Sequence, residues 1–372
     1  MENDLNQTNK PVLDRVKSVD FFRGFTMFLL MGESTGLYKH IGEINSSIMQ
    51  FISIHLDHHP WHGLYFWDLI QPFFMFIVGV AIPFSVASRL KKGQSNRELT
   101  KHAIQRSIIL FLCGWAIYCI DAGRIVYRFQ NVLCQLGVAY LLAYLIRNKS
   151  VSFQIGFTIV LLLVTDLAYR FFLVAGFNQP WEPYHNLGAW VNNKIEGVDR
   201  TSRWATINAI PTTAHTVWGV LCGQLLMSKK SAKRKIWSMA IAGLICLLVG
   251  YAIDFSNITP IIKRIATSSF VLVSGGWTIL AFCFCYWLID IKKIFVKGSS
   301  FFVIVGMNCI FIYLFFSIGG AEFLRNICVP FTKALFECGG HLTFKIMTDI
   351  VVWVFLWYIC YWLYQKKVFI KI

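Results

Sequence analysis

The chain has 372 residues, of which 56% are hydrophobic and 15% charged, and it is rich in Phe, Trp and Tyr. Mean hydropathy is +0.57. A soluble domain carries roughly 25% charged residues, so this composition excludes a water-soluble globular fold. The formal charge of +16 does not indicate nucleic acid, because the basic residues fall in short runs between apolar stretches.

In chain order, residues 1–17 are polar. The first apolar stretch that follows is too long for a signal peptide and lacks a small-residue cleavage site, so it is expected to persist as a helix. Apolar stretches near the ~20 residues that a bilayer requires recur at 19–38, 64–88, 103–121, 129–147, 152–175, 206–227, 236–253, 268–289, 300–319 and 348–364. The expected fold is an all-α polytopic membrane protein with about ten transmembrane helices and both termini cytoplasmic. A cytoplasmic N-terminal segment (1–17), a single transmembrane domain (18–365) and a cytoplasmic tail (366–372) make up the chain, with no linker or repeat. The dense runs Lys91-Lys92, Lys229 to Lys235, Lys292-Lys293 and Lys366-Lys367 all fall on one side of this arrangement, as the positive-inside rule requires. The longer loops 39–63, 176–205 and 320–347 are then external.

Nine of the 11 cysteines lie in apolar runs, where Cys acts as a small hydrophobe. Cys328 and Cys338 fall in the last long loop, and a disulfide between them is the less favoured reading.

The chemistry-bearing stretch is HLDHHPWHGLYFWDLIQPFF, residues 55–74. Four His at spacings of three and four invite a metal site, but Pro60 disfavours helical geometry at His59, and no metal is expected. Interfacial anchoring accounts for most of the four. It does not account for Asp68, since an acid within an apolar segment is costly and marks a functional site. Asp166 and Arg170 are further charges inside an apolar stretch. Asp20 and Arg23, three apart on one helical face, form either a mutual ion pair or an anion site.

The spacing of His58, Trp61, Gly63, Leu64, Asp68, Pro72, Phe74, Phe76, Ile77 and Gly79 resembles the signature of the transmembrane N-acetyltransferases that include heparan-alpha-glucosaminide N-acetyltransferase and its bacterial relatives. Three further blocks resemble that family in order. They are RVKSVDFFRG at 15–24, the Pro260–Lys263–Ser269–Phe270 block within 259–277, and GMNCIFIY at 306–313. The chain departs from the pattern at Ser34, which has Glu33 beside it, at Cys134-Gln135, at SRWA (202–205), at Ile262 and at Ala266.

The resemblance implies an acetyltransferase that moves an acetyl group from cytoplasmic acetyl-CoA to an amino sugar on the outer side, with His58 essential. A histidine suits this reaction because its pKa lies near neutrality, and it acts either as general base or as acetyl carrier. Asp68 is expected to assist it. Arg23, Lys17 and Arg106 are the candidate contacts for the phosphates of coenzyme A. Asn308, Lys263, Trp61 and Glu33 are the candidate acceptor contacts, and the departures open acceptors other than glucosamine. The expected partners are a saccharide acceptor and the lipid bilayer, with no nucleic acid, and a homo-oligomer is compatible with the sequence. A bacterial inner membrane is the expected location, because the family's lysosomal members carry an additional luminal N-terminal region. The rival classes are a saccharide transporter or flippase, with Asp68, Asp166 and Arg170 as relay groups, and an O-acyltransferase of envelope polysaccharide.

Overall fold

A computed structural model of the chain describes residues 16–197 and 202–370. Most of the expected N-terminal segment, including Arg15 of the first family-like block, lies outside these residues, as do the last two residues of the expected tail.

Among the described residues there is no strand, and one isolated antiparallel bridge joins His62 to Ile262. The helices in order are α1 (Lys17–Ser34), α2 (Leu37–Gly42), α3 (Ser47–His55), α4 (Ile70–Lys91), α5 (Asn96–Asp121), α6 (Val132–Ile146), α7 (Val151–Arg170) and α8 (Leu187–Glu196). They continue with α9 (Ala209–Met227), α10 (Ala232–Phe255), α11 (Ser268–Tyr286), α12 (Val296–Met307), α13 (Cys309–Ser317), α14 (Gly320–Phe336) and α15 (His341–Gln365). Helix is the expected solution for such apolar stretches, because each segment then satisfies its own backbone polar groups away from water. Side chains also punctuate the starts: Ser95, Asn131, Ser150, Ser231 and Thr267 each accept a backbone N–H at the beginning of the helix that follows.

Among the described residues, six helical segments are long and apolar enough to cross a bilayer. They are α4 with its leading turn, α5, α7, α10, α11 with its trailing turn, and α15. The pair α12–α13 makes a seventh if counted as one span, bent by 61° at Asn308. Every apolar stretch read from the sequence contains a helix. However, α6 is short, and α1 carries Lys17, Asp20, Arg23 and Glu33.

Burial separates an inner layer from an outer one. The α4 segment is 67% buried within the protein, whereas α7 and α10 are 22% and 17% buried and present Ile, Leu and Val outward. Helices α4 and α9 cross closely. A Cβ on Gly79 would lie 2.0 Å from the Thr216 carbonyl oxygen, and one on Gly219 would lie 2.1 Å from that of Phe76. Two helix backbones therefore touch there, as small residues permit in membrane bundles.

The long loops are not featureless, since they fold into α2, α3, α8 and α14. Cys328 is buried in α14 and not in a loop, and all 11 cysteines are free. The bundle has two distinct ends. The backbone N–H groups of Lys17 and Ser18 donate to the Asp290 carboxylate at 2.9 and 3.0 Å, which joins the start of α1 to the end of α11. At the far end of α1, Glu33 meets the segment that carries His58.

Candidate active site

The site forms where α3 ends and the chain crosses to α4. Residues 56–65 are non-helical, as Pro60 demands, and Phe66–Leu69 make one 3-10 turn. Asp68 caps that turn. Its Oδ2 accepts the N–H of Tyr65 at 2.9 Å and the N–H of His59 at 3.2 Å, which leaves Oδ1 for side chains. Gly63 holds the loop's crossing point with φ +141°, a backbone conformation that favours glycine. Its N–H donates to the Ile261 carbonyl oxygen at 2.9 Å, and the His62–Ile262 bridge follows immediately.

That crossing brings in a second loop. Residues 256–267 contain a short 3-10 turn, Lys263–Ile265, closed by Ala266 at φ +49°. Two sets of contacts fix this loop. The Asp254 carboxylate accepts from the Ile261 N–H at 2.8 Å and lies 2.8 Å from His62 Nε2. Asp166 pairs with Arg170 at 2.5 Å and accepts from the Thr259 hydroxyl at 2.7 Å, while Arg170 also donates to the Ile258 carbonyl oxygen. The two charges singled out in the apolar stretch of α7 thus staple a loop.

Lys263 is delivered into the same cluster as His58 and Asp68. Its Nζ lies 3.1 Å from His58 Nδ1, 3.4 Å from Asp68 Oδ1 and 3.5 Å from the Trp67 carbonyl oxygen. His58 Nδ1 lies 3.2 Å from Asp68 Oδ1. A single ring nitrogen cannot serve both partners. Protonated, Nδ1 donates to Asp68 and Nε2 carries the lone pair; unprotonated, Nδ1 accepts from Lys263 and Nε2 carries the proton. Asp68 and Lys263 are almost wholly enclosed, whereas the His58 side chain keeps 31% of its surface exposed. Burial, with the Lys263 charge next in importance, holds the His58 pKa below its ordinary value despite the opposing pull of Asp68. Burial pushes Lys263 down to about 8, against the attraction of Asp68 and Glu33.

His58, Lys263, Glu33, Trp67 and Trp204 line a cavity of about 290 Å³, together with Gln71 and Gln135. Glu33 is exposed, lines this cavity and is hydrogen-bonded to Trp67. The Trp204 ring stands edge-on to His58 at 5.4 Å, with Lys263 and Arg264 over its face at 5.6 and 5.0 Å. Gln71 donates to Gln135 at 2.5 Å, and Gln135 donates to the Gln130 carbonyl oxygen at 3.0 Å. A polar wall thus runs into an otherwise apolar interior.

The remaining candidates lie elsewhere. Trp61 donates to the Trp181 carbonyl oxygen at 2.7 Å and braces the loop. Asn308 is fully buried at the α12–α13 bend, where it donates to the Val368 carbonyl oxygen at 3.0 Å and accepts from the Ile370 N–H at 2.9 Å. Its polar atoms hold the C-terminal tail and do not line the cavity. Lys17 and Arg23 lie toward the other end of α1, where Arg23 pairs with Asp20 at 2.9 Å. Arg106 is on α5, 4.8 Å from the Tyr140 ring. Arg23 and Arg106, like Arg147 and Arg264, each keep a buried Nε with no partner among the described residues. His55 packs tilted against Phe51, His59 meets Tyr65 edge to face, and His62 pairs with Asp254. Among the described residues, no group of three His, Cys, Asp or Glu side chains is arranged to hold a metal ion. The sequence reading missed Trp204, although it lies within the departing SRWA block, and it missed Gln71 and Trp67 inside the signature itself.

The family described as "Heparan-alpha-glucosaminide N-acetyltransferase, catalytic" matches residues 15–252, close to two thirds of the chain. The chain belongs to this family. It is 26% identical to the heparan-alpha-glucosaminide N-acetyltransferase of Mus musculus, over 98% of this chain and 62% of that protein. It is 24% identical to the Homo sapiens protein of the same name, over 96% of this chain and 60% of that protein. The chain therefore spans about three fifths of the length of these relatives. The His58–Asp68 pair lies within the family match, and Lys263 lies beyond it.

Proposed function

We propose that this protein is an integral-membrane N-acetyltransferase that transfers the acetyl group of acetyl-CoA to an amino sugar, with His58 as the reacting imidazole. The observation that carries the reading is the Asp68–His58–Lys263 cluster at the mouth of the polar-walled cavity. In the tautomer that donates from Nδ1 to Asp68, Nε2 has the lone pair that a base requires. The acceptor amine attacks the thioester carbonyl, forming the C–N bond, and its proton passes to Nε2. Collapse of the tetrahedral intermediate breaks the C–S bond, and the departing sulfur receives that proton. The alternative of an acetyl group carried on Nε2 uses the same residues in two steps. Asp68 fixes the ring, and burial together with the Lys263 charge lowers the His58 pKa, which favours the neutral imidazole.

In this proposal ten segments cross the membrane, with both termini cytoplasmic, and the cavity opens to the outer side of a bacterial inner membrane. Arg23, with Lys17 and Arg106, would receive the anionic groups of the donor, and the unpartnered Nε atoms of Arg23 and Arg106 fit that chemistry. Arg23 and Glu33 are ten residues apart on α1, about 15 Å at helical rise, so the donor's long arm must pass between helices to reach His58. Glu33 would receive the acceptor's amino group, and Trp204 its ring.

The test is acetyl transfer from radiolabelled acetyl-CoA to a panel of amino sugars by the purified protein. Labelled amide that requires His58 supports the reading. Absence of both transfer and thioester hydrolysis with every acceptor overturns it and favours a carrier.

A further inference from the structure

A second concavity, larger than the first, lies on the lipid-facing side. Helix α7 packs on α9, and α10 packs on α11, which leaves a groove between α7 and α10 with α9 as its floor. Its volume is about 920 Å³, and its walls are apolar, formed by Ile155, Leu162, Leu221, Leu225, Ile245 and Val249 among others. Two charged side chains line it, Asp166 at one end and Lys230 at the other. Asp166 is neutralised by Arg170 and accepts a hydrogen bond from the Thr259 hydroxyl. Lys230 has no acidic partner among the described residues, and there is no Asp or Glu from residue 200 to 253.

We propose that this groove is a binding site for one anionic glycerophospholipid, with its phosphate at Lys230 and its acyl chains along the α7–α10 cleft. Lys230 belongs to the run Lys229 to Lys235. Within that run Lys235 is already committed, donating to the Leu226 carbonyl oxygen at 2.6 Å. Lys229, Lys230, Lys233 and Arg234 remain exposed, and of these Lys230 lines the groove. A topology signal alone needs basic residues in the loop. It does not need an ammonium at the mouth of an apolar groove, and that pairing matches an amphiphile with a negative head and long tails. A juxtamembrane cation attracts anionic lipid by about 1 kcal/mol, or roughly fivefold in affinity. The site is separate from the cavity at His58, and its test does not depend on activity.

The protein is exchanged into detergent containing equimolar phosphatidylglycerol and phosphatidylcholine, and retained lipid is read by native mass spectrometry. The wild type should keep one phosphatidylglycerol in preference to phosphatidylcholine. Lys230→Gln should reduce that preference about fivefold, and Lys230→Glu should reduce it further. Ala242→Trp, which fills the groove from α10, should lose both lipids while staying monodisperse. Equal retention of the two lipids, an unchanged preference in both Lys230 variants, or a dimer mass that Ala242→Trp dissociates would each overturn the proposal.

Discussion

His58 Nδ1 lies 3.2 Å from Asp68 Oδ1 and 3.1 Å from Lys263 Nζ, so one imidazole nitrogen faces a carboxylate and an ammonium together. None of the other three histidines in residues 55–62 has that environment. His58→Ala should lower acetyl transfer by 10²–10⁴-fold, the range for loss of a general base. His55→Ala, His59→Ala and His62→Ala should each stay within about fivefold, the scale of an exposed interaction. Turnover of monodisperse variants with glucosamine as acceptor decides the matter. A His58→Ala enzyme that keeps a tenth of its rate would remove the imidazole from the chemistry.

Asp68→Asn keeps an oxygen able to accept the Tyr65 and His59 N–H groups, so the loop should fold. It loses the charge that pairs with Lys263 and fixes the His58 tautomer. Turnover should drop by roughly 10²-fold or more, in a protein that stays monodisperse but melts lower, because Lys263 is left buried without its carboxylate. Normal turnover would restrict Asp68 to capping.

Lys263→Met tests electrostatics directly. The Lys263 charge lowers the His58 pKa, so its removal must raise it. Activity that needs neutral imidazole would then appear only at higher pH, shifting the acidic limb of the kcat/KM profile upward. A limb that stays in place or moves down would show that the ammonium does not act through His58.

Gly79→Leu should abolish the folded bundle, because its side chain would enter backbone atoms of α9. Overpacking typically costs 1–3 kcal/mol when side chains can yield, and a backbone cannot yield as a side chain does. Size-exclusion profiles of the Gly79→Ala and Gly79→Leu variants should show graded loss of monodisperse protein. A well-behaved Gly79→Leu variant would mean that α4 and α9 sit farther apart.

Membrane sidedness is read by single-cysteine labelling in a background without native cysteines. Lys230→Cys and Lys293→Cys should label only from the cytoplasmic face, and Asn193→Cys only from the outside. Labelling of positions 230 and 193 from one face would break the ten-span arrangement.

The helices of the bundle were legible because apolar length is a local property of the sequence. The elements α2, α3, α8 and α14 were not: the first three run for only 6, 9 and 10 residues, and the 17 residues of α14 are interrupted by Glu322, Arg325, Pro330 and Lys333. At the site, His58 and Asp68 are ten residues apart and share one motif, so their pairing was within reach. Lys263 is 205 residues from His58. Its candidacy was visible, but its place beside the imidazole depends on the Gly63–Ile261 and His62–Ile262 contacts, which no single segment encodes. Asn308 misled for a related reason, because a polar residue in an apolar helix signals a partner without naming it, and here the partner is the chain's own tail. Asp166 and Arg170 carried the same ambiguity until Thr259 and Ile258 were seen to complete them.

Gly63 and Ile261 join the two halves of the site by one backbone hydrogen bond, across the end of the family match at residue 252. A polypeptide cut at that boundary would contain the histidine and its aspartate but not the lysine that sits against both. Supplied in trans, residues 253–370 would have to dock α11 against α9 and α4 before Lys263 could reach the imidazole. Assembly of the last third of the bundle and completion of the reactive cluster are therefore a single event, and a chain arrested during membrane insertion would carry the signature without a complete site.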